Sequence, residues 1–95
     1  MNNCIGKYGY MRLDFLKEHR SEQYTELRQQ GELRTHLATV EHQAREYSER
    51  VVPEIARAWG VTEKMKQDDQ MKWVGLMNSA RAAVDEIIIA EIICV

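Results

Sequence analysis

The residues that could carry out chemistry are few and widely spaced. The sequence contains three histidines, His19, His36 and His42, and two cysteines, Cys4 and Cys94. Their spacing fits neither a zinc finger nor a His-Glu-x-x-His metalloprotease helix. The chain also lacks a phosphate-binding glycine loop and a Gly-x-Ser-x-Gly nucleophile turn. We therefore expect a protein that is not an enzyme and holds no metal ion or cofactor.

The segment 11–30 has the outline of a helix-turn-helix, because two short helical patterns meet there at a tight junction. Arg12, Lys17 and Arg20 could hold phosphates, and Arg28 on the second helix could reach a base edge, so these four are the candidate DNA contacts. The second helix also offers other polar side chains for base edges: Gln23, Thr25, Gln29 and Gln30.

Acidic side chains on the same helices weigh against this interpretation. Four carboxylates that would repel a DNA backbone lie among the cations: Asp14, Glu18, Glu22 and Glu26. The whole chain carries a net charge of −2, which argues against binding nucleic acid through its overall field. A solvated helical hairpin with no DNA partner is the alternative.

Helical spacing dominates the rest of the chain. A first helix is predicted over about 8–19, and a second is predicted to be capped by Ser21 and ended by Gly31. From 32 to 59 the apolar positions approach a heptad seam: Leu33, Leu37, Val40, Ala44, Tyr47, Val51, Ile55 and Ala58. Pro53 lies inside this pattern and predicts a kink, or a break just before it.

Gly60 is predicted to end the long helix and Thr62 to cap the next, with a further restart near Asp68. A final helix to about Ile93 has the predicted buried stripe Met71, Val74, Met77, Ala80, Val84, Ile87, Ile88 and Ile92. Residues 86–95 could also pass for a strand, but no partner strand is visible. We expect an all-α domain: two short N-terminal helices followed by a long antiparallel helical hairpin.

The C-terminal isoleucines lie on more than one face of their helix and leave apolar surface for a partner. We select Trp73, Ile88, Ile89 and Ile92 as candidate protein-interface residues and expect a homodimer, although the N-terminal helices could cover the same surface. Trp73 lies beside the buried stripe, so ordinary packing is an equal alternative for it.

Length and cysteine usage bound the remaining expectations. The 95 residues fit one domain, 1–95, with 1–6 flexible. The cysteines lie at opposite ends without a pairing signature or a secretion signal, which favours a reducing cytoplasm over a disulfide between the termini. The apolar run from Ile87 to Val95 is far too short to cross a bilayer, so no membrane association is expected.

Several segments resemble the transposon-encoded TnpV family: Gly6-Lys7-Tyr8-Gly9, Arg12-Leu13, Leu16-Lys17-Glu18-His19-Arg20, Gly60-Val61-Thr62-Glu63, Asp69-Gln70-Met71-Lys72-Trp73-Val74 and Met77-Asn78. The resemblance covers residues 5–93. It implies a small protein carried on mobile genetic elements of bacteria, with no established catalytic residues. The similarity of that family to excisionases implies DNA bending or partnering of a recombinase.

The leading hypothesis is therefore an accessory protein of a mobile element that assists or regulates excision or transposition by binding DNA, a recombinase or both. The alternative is a protein-only inhibitor or adaptor that acts on a host defence protein. The net acidity and the acidic C-terminal third would suit a surface that imitates or repels nucleic acid.

Overall fold

A computed structural model describes residues 5–95, which form helices and short connections without any strand. The helices are α1 (Lys7–His19), α2 (Ser21–Gln29), α3 (Leu33–Ala58), α4 (Glu63–Asp68) and α5 (Gln70–Ile88), and α5 continues into a π-helical turn (Ile89–Ile93). The predicted all-α class is confirmed. The strand alternative for residues 86–95 is wrong, because the helix persists through Ile93.

Local signals set most helix ends. Gly31 and Gly60 adopt φ values of 73° and 76°, the left-handed region that glycine tolerates best. After Gly60, the amide of Val61 donates to the carbonyl of Ala56 at 2.9 Å, which closes a Schellman motif. The Thr62 hydroxyl accepts a hydrogen bond from the amide of Met65 and caps α4, as predicted.

Two predicted boundaries are corrected. Ser21 is the first residue of α2 and not its cap, because Arg20 takes the cap position without a side-chain hydrogen bond. The restart falls at Asp69 instead of Asp68, and its carboxylate accepts a hydrogen bond from the Lys72 amide at 3.1 Å. Both shifts are one residue, the usual uncertainty at a helix end.

The long helix α3 passes through Pro53 without a break. The predicted seam holds in its first half, where Leu37, Val40 and Ala44 are buried. Beyond that point the buried positions are Val52 and Ala56, one residue later than predicted. The helix turns 3.6 residues per turn and the heptad pattern repeats every 3.5, so the buried face drifts along a long straight helix.

On α5, Ala80, Val84 and Ile88 are fully buried, as predicted. The same prediction is wrong for Met71, Val74 and Ile87, which are 87%, 41% and 37% exposed. The core lies between α3 and α5, and α1 closes it with Tyr8. The molecule is elongated, 54 × 28 × 18 Å, because α1 and α2 cover one end of the hairpin and leave the other end thin.

Three remaining features bear on the sequence-based expectations. Residues 1–4 of the segment expected to be flexible, including Cys4, lie outside the described residues, whereas Ile5 and Gly6 are half-buried. Cys94 is exposed and free. Among the described residues, no helix combines the length and apolar character needed to cross a bilayer.

Candidate nucleic-acid interface

Arg12 is built into the interior and is not presented to solvent. Its side chain lies on the buried face of α1 and is only 4% exposed. Its Nη1 donates to the main-chain oxygens of Ile93 and Val95, each at 2.7 Å, and thereby satisfies carbonyls at the end of the last helix. The expectation that Arg12 holds a phosphate is therefore corrected, because its guanidinium is occupied inside the molecule.

His36 completes this internal cluster from α3. The Nε of Arg12 donates to His36 Nε2 at 3.2 Å, which requires that nitrogen to be unprotonated. Burial, reinforced by the positive charge of Arg12, lowers the pKa of His36. The cluster joins α1, α3 and the C-terminal turn, and it is most stable with a neutral imidazole.

Lys17 and Arg20 lie where α1 meets α2, and both are exposed. The Lys17 ammonium sits 5.8 Å from the centre of the Tyr24 ring, and the Arg20 guanidinium sits 5.3 Å from that of Phe15. These contacts orient the cations without neutralising them. The structure thus brings two of the four candidate DNA contacts to one junction.

Arg28 lies two turns further along α2, also exposed, beside a shallow depression that it lines with Tyr24, Thr25 and Gln29. A second depression at the α1–α2 junction is lined by polar side chains of both signs: His19, Arg20, Ser21, Glu22, Gln23 and Glu26. The surface carrying the three exposed cations is therefore mixed in charge, as the sequence indicated.

A buried carboxylate, Glu41, fixes this surface to the hairpin. Its Oε1 accepts hydrogen bonds from the amides of Gly6 at 2.9 Å and Gly9 at 2.8 Å, and its Oε2 accepts one from Arg45 Nε at 2.7 Å. Burial disfavours the ionised form, but the hydrogen bonds from Gly9, Gly6 and Arg45 outweigh it and lower the pKa of Glu41. Glu41 thus holds the start of α1 with a charge that suits a helix N-terminus.

Asp85 provides a second anchor, from α5 to the same end of α1. It accepts hydrogen bonds from the Tyr8 hydroxyl at 2.6 Å and the Lys7 ammonium at 2.8 Å. Burial opposes ionisation here too, yet the bonds from Lys7 and Tyr8 hold the pKa of Asp85 below its ordinary value. Together, Glu41 and Asp85 position α1 against both arms of the hairpin.

Comparison of the sequence with models of protein families identifies its family. The sequence matches the family model described as transposon-encoded protein TnpV over residues 1–93. The chain belongs to the TnpV family. No curated protein and no solved structure matches it significantly. The family description makes this a transposon-encoded protein.

The candidate protein-interface residues of this TnpV protein are divided by the fold. Ile88 is fully buried between α3 and α5, which corrects its assignment to an exposed interface. Ile89 and Ile92 are half-buried against the core, which α1 also reaches. Trp73 is half-buried beside Lys66, whose ammonium lies 4.7 Å from the centre of its ring.

Sequence reasoning missed the two anchors of the TnpV fold. In the sequence, Glu41 precedes Arg45 by four residues, the spacing of an exposed helical ion pair, and its position beside Val40 on the seam is the available signal. Asp85 is followed by Glu86, an acidic doublet that is typical of a solvated helix face. Apart from Arg45, their partners lie between 32 and 78 residues away, a separation that no local pattern reveals. Within residues 5–95, no group of three or more His, Cys, Asp or Glu side chains converges as a metal site would.

Proposed function

We propose that this transposon-encoded protein is a non-enzymatic accessory factor that assists or regulates excision or transposition by binding DNA, the element's recombinase or both. The observation that carries the proposal is the α1–α2 pair, which presents Lys17, Arg20 and Arg28 to solvent while Glu41 fixes its orientation. A factor of this kind acts by geometry, so it requires a rigidly held surface and no catalytic group.

Three cations set the expected strength of DNA binding. Each phosphate neutralised releases counterions, so the logarithm of the association constant should fall with the logarithm of salt concentration with a slope of about −3. Glu22 and Glu26 weaken non-specific attachment on the same surface. Useful affinity then depends on element-end DNA of favourable shape, or on a recombinase already bound there.

The test is fluorescence anisotropy with a duplex taken from the element's ends, alone and with its recombinase. Lys17→Glu and Arg28→Glu should each weaken binding and reduce the salt slope by about 1. Lys64→Glu is the matched control, because it makes the same charge change on α4, at the other end of the hairpin. Equal losses from the control, or binding indifferent to salt, would contradict the proposal.

A protein-only inhibitor or adaptor of a host defence protein is the second candidate. It is favoured by the net charge of −2 and by the exposed Glu22 and Glu26 beside Arg20. Such a complex should survive nuclease treatment and ignore Lys17→Glu. Co-purification of a tagged copy from its host, with and without nuclease, separates the two functions.

A further inference from the structure

The side of α5 that faces away from the core is exposed along its whole length. Successive residues of a helix are rotated by about 100°, which places Gly75 directly opposite the buried Val84. We call the exposed side the outer face of α5, and its residues, all exposed, are Met71, Lys72, Gly75, Asn78, Ser79, Ala82 and Glu86. No helix within residues 5–95 covers it.

This face differs from the other long solvent-facing surface of the molecule. The outer side of α3 carries five exposed charges, which is ordinary for a wet helix face: Glu46, Glu49, Arg50, Glu54 and Arg57. The outer face of α5 has one charged residue at each end, Lys72 and Glu86. Between them a charge reaches only its edge, where the Arg81 guanidinium donates to the Asn78 side-chain oxygen at 3.3 Å. Met71, at its beginning, is 87% exposed. Depletion of charged residues is a feature of the centre of protein interfaces.

Gly75 lies on the centre line of the outer face, and no packing contact within residues 5–95 requires a glycine there. A Cβ added at Gly75 would meet nothing within 4 Å. Glycine weakens a helix relative to alanine. Because no group within residues 5–95 requires a glycine here, nothing described in a single copy offsets that loss of stability. It does allow the backbone of another helix to approach closely.

The two end charges oppose the dipole of their own helix. Lys72 lies in the first turn of α5, where a cation opposes the helix dipole, and Glu86 lies in the half where an acid does. Within residues 5–95 neither takes part in an ion pair. They are 14 positions apart, about 21 Å along the helix, and cannot reach each other.

We propose that a second copy of this chain packs antiparallel on the outer face of α5, with a two-fold axis beside Ser79. Positions 72 and 86 are equidistant from 79, so each Lys72 meets Glu86 of the second copy. Lys72 and Glu86 both lie on the same side of the centre line of the outer face, which runs through Gly75. The two-fold symmetry requires this arrangement. Gly75, which has no side chain, and Ala82, which has a small one, let the two helices approach closely. The exposed Met71 side chain becomes buried against the helix of the second copy.

The first test is a charge swap followed by sedimentation equilibrium. Lys72→Glu or Glu86→Lys places like charges opposite each other, so each variant should dimerise at least about tenfold more weakly than the wild type. An acid in the first turn and a base nearer the end both suit the helix dipole, which offsets the repulsion that Lys72→Glu adds beside Asp68 and Asp69. Circular dichroism verifies that each variant folds.

Mixing the two variants decides the arrangement. One chain with Lys72→Glu and one with Glu86→Lys carry opposite charges at both contacts, so the mixture should form a heterodimer of nearly wild-type affinity. Glu49→Lys, on the outer side of α3, is the control and should associate like the wild type. A wild-type chain that stays monomeric at about 1 mM, or a mixture that shows no recovery, overturns the proposal.

A substitution at the glycine gives independent evidence. Gly75→Gln suits a helix and has room in one copy, so the dilute chain should unfold at a higher temperature. In the dimer the longer side chain separates the two helices, and the dissociation constant should rise at least about tenfold. Unchanged self-association of Gly75→Gln excludes the close approach that we propose.

Discussion

At the scale of single residues, Arg12 joins α1 to the C-terminal segment. Its guanidinium serves two carbonyls of the C-terminal segment and the His36 ring. Arg12→Ala would remove the donor from the buried Ile93 carbonyl and from the half-buried His36 nitrogen, and we expect it to lower the free energy of unfolding by about 2–4 kcal/mol. Urea denaturation measures this, and the exposed Arg28→Ala should change stability by less than about 0.5 kcal/mol. Similar losses for both variants would contradict the assigned role of Arg12.

Because His36 belongs to this cluster, we expect the stability of the fold to depend on pH. The folded chain lowers the pKa of His36 below its ordinary value of 6.5, so the neutral ring is favoured by folding. The stabilisation is complete above pH 6.5 and is lost as the pH falls through the lower folded pKa. Glu41 and Asp85, whose pKa values are also lowered, add losses at still lower pH.

His36→Gln isolates the first of these effects. The glutamine oxygen can accept the hydrogen bond from Arg12 and does not titrate. Between pH 6.5 and the range where carboxylates titrate, the unfolding free energy of His36→Gln should therefore vary less with pH than that of the wild type. Parallel curves for the two proteins, from urea titrations at each pH, would show that His36 does not carry the effect.

At the scale of helices, Gly9 and Gly75 can be compared directly, because Gly9 is tightly packed and Gly75 is open to solvent. A Cβ at Gly9 of α1 would lie 2.5 Å from Ile5 Cγ2 and 3.2 Å from the Leu37 carbonyl oxygen, whereas one at Gly75 meets open space. Both substitutions by alanine gain helix propensity. We expect Gly75→Ala to stabilise the dilute chain by about 0.5–1 kcal/mol. Gly9→Ala should destabilise it by about 1–3 kcal/mol, because α1 must move away from α3.

Thermal unfolding at low protein concentration measures both variants without a contribution from association. Two shifts of the same sign would show that the packing of α1 on α3 is looser than the contacts at Gly9 indicate.

The helix scale also shows what a sequence can reveal. Gly60 and Thr62 mark helix ends through their own backbone and hydroxyl chemistry, so those boundaries were predictable. Burial of a face depends on neighbours. Apolar periodicity therefore could not distinguish Met71, which faces solvent, from Ala80, which faces α3. Likewise, the sequence gives no sign that Arg12 is buried, because the carbonyls of Ile93 and Val95 to which it donates lie far along the chain.

At the scale of the whole molecule, the elongated shape relates the two proposed surfaces. The α1–α2 pair is anchored near Asp85, in the C-terminal half of α5, and the proposed two-fold axis passes beside Ser79. An antiparallel dimer therefore carries two α1–α2 pairs, one on each side of the axis. Dimeric DNA-binding proteins present paired helices in this way to half-sites about one duplex turn apart.

Such a dimer predicts that dimerisation and DNA binding are coupled. Within one copy, Lys72 lies at the opposite end of the hairpin from Lys17, Arg20 and Arg28, yet Lys72→Glu should weaken binding to element-end DNA because one copy contacts only one half-site. Lys64→Glu makes the same charge change without disturbing the dimer and should bind like the wild type. Mixing Lys72→Glu with Glu86→Lys should restore both dimer and DNA affinity, measured by sedimentation and anisotropy on the same samples. A monomeric Lys72→Glu that binds element-end DNA as tightly as the wild type would leave the α5 interface standing and show that DNA is bound by single copies.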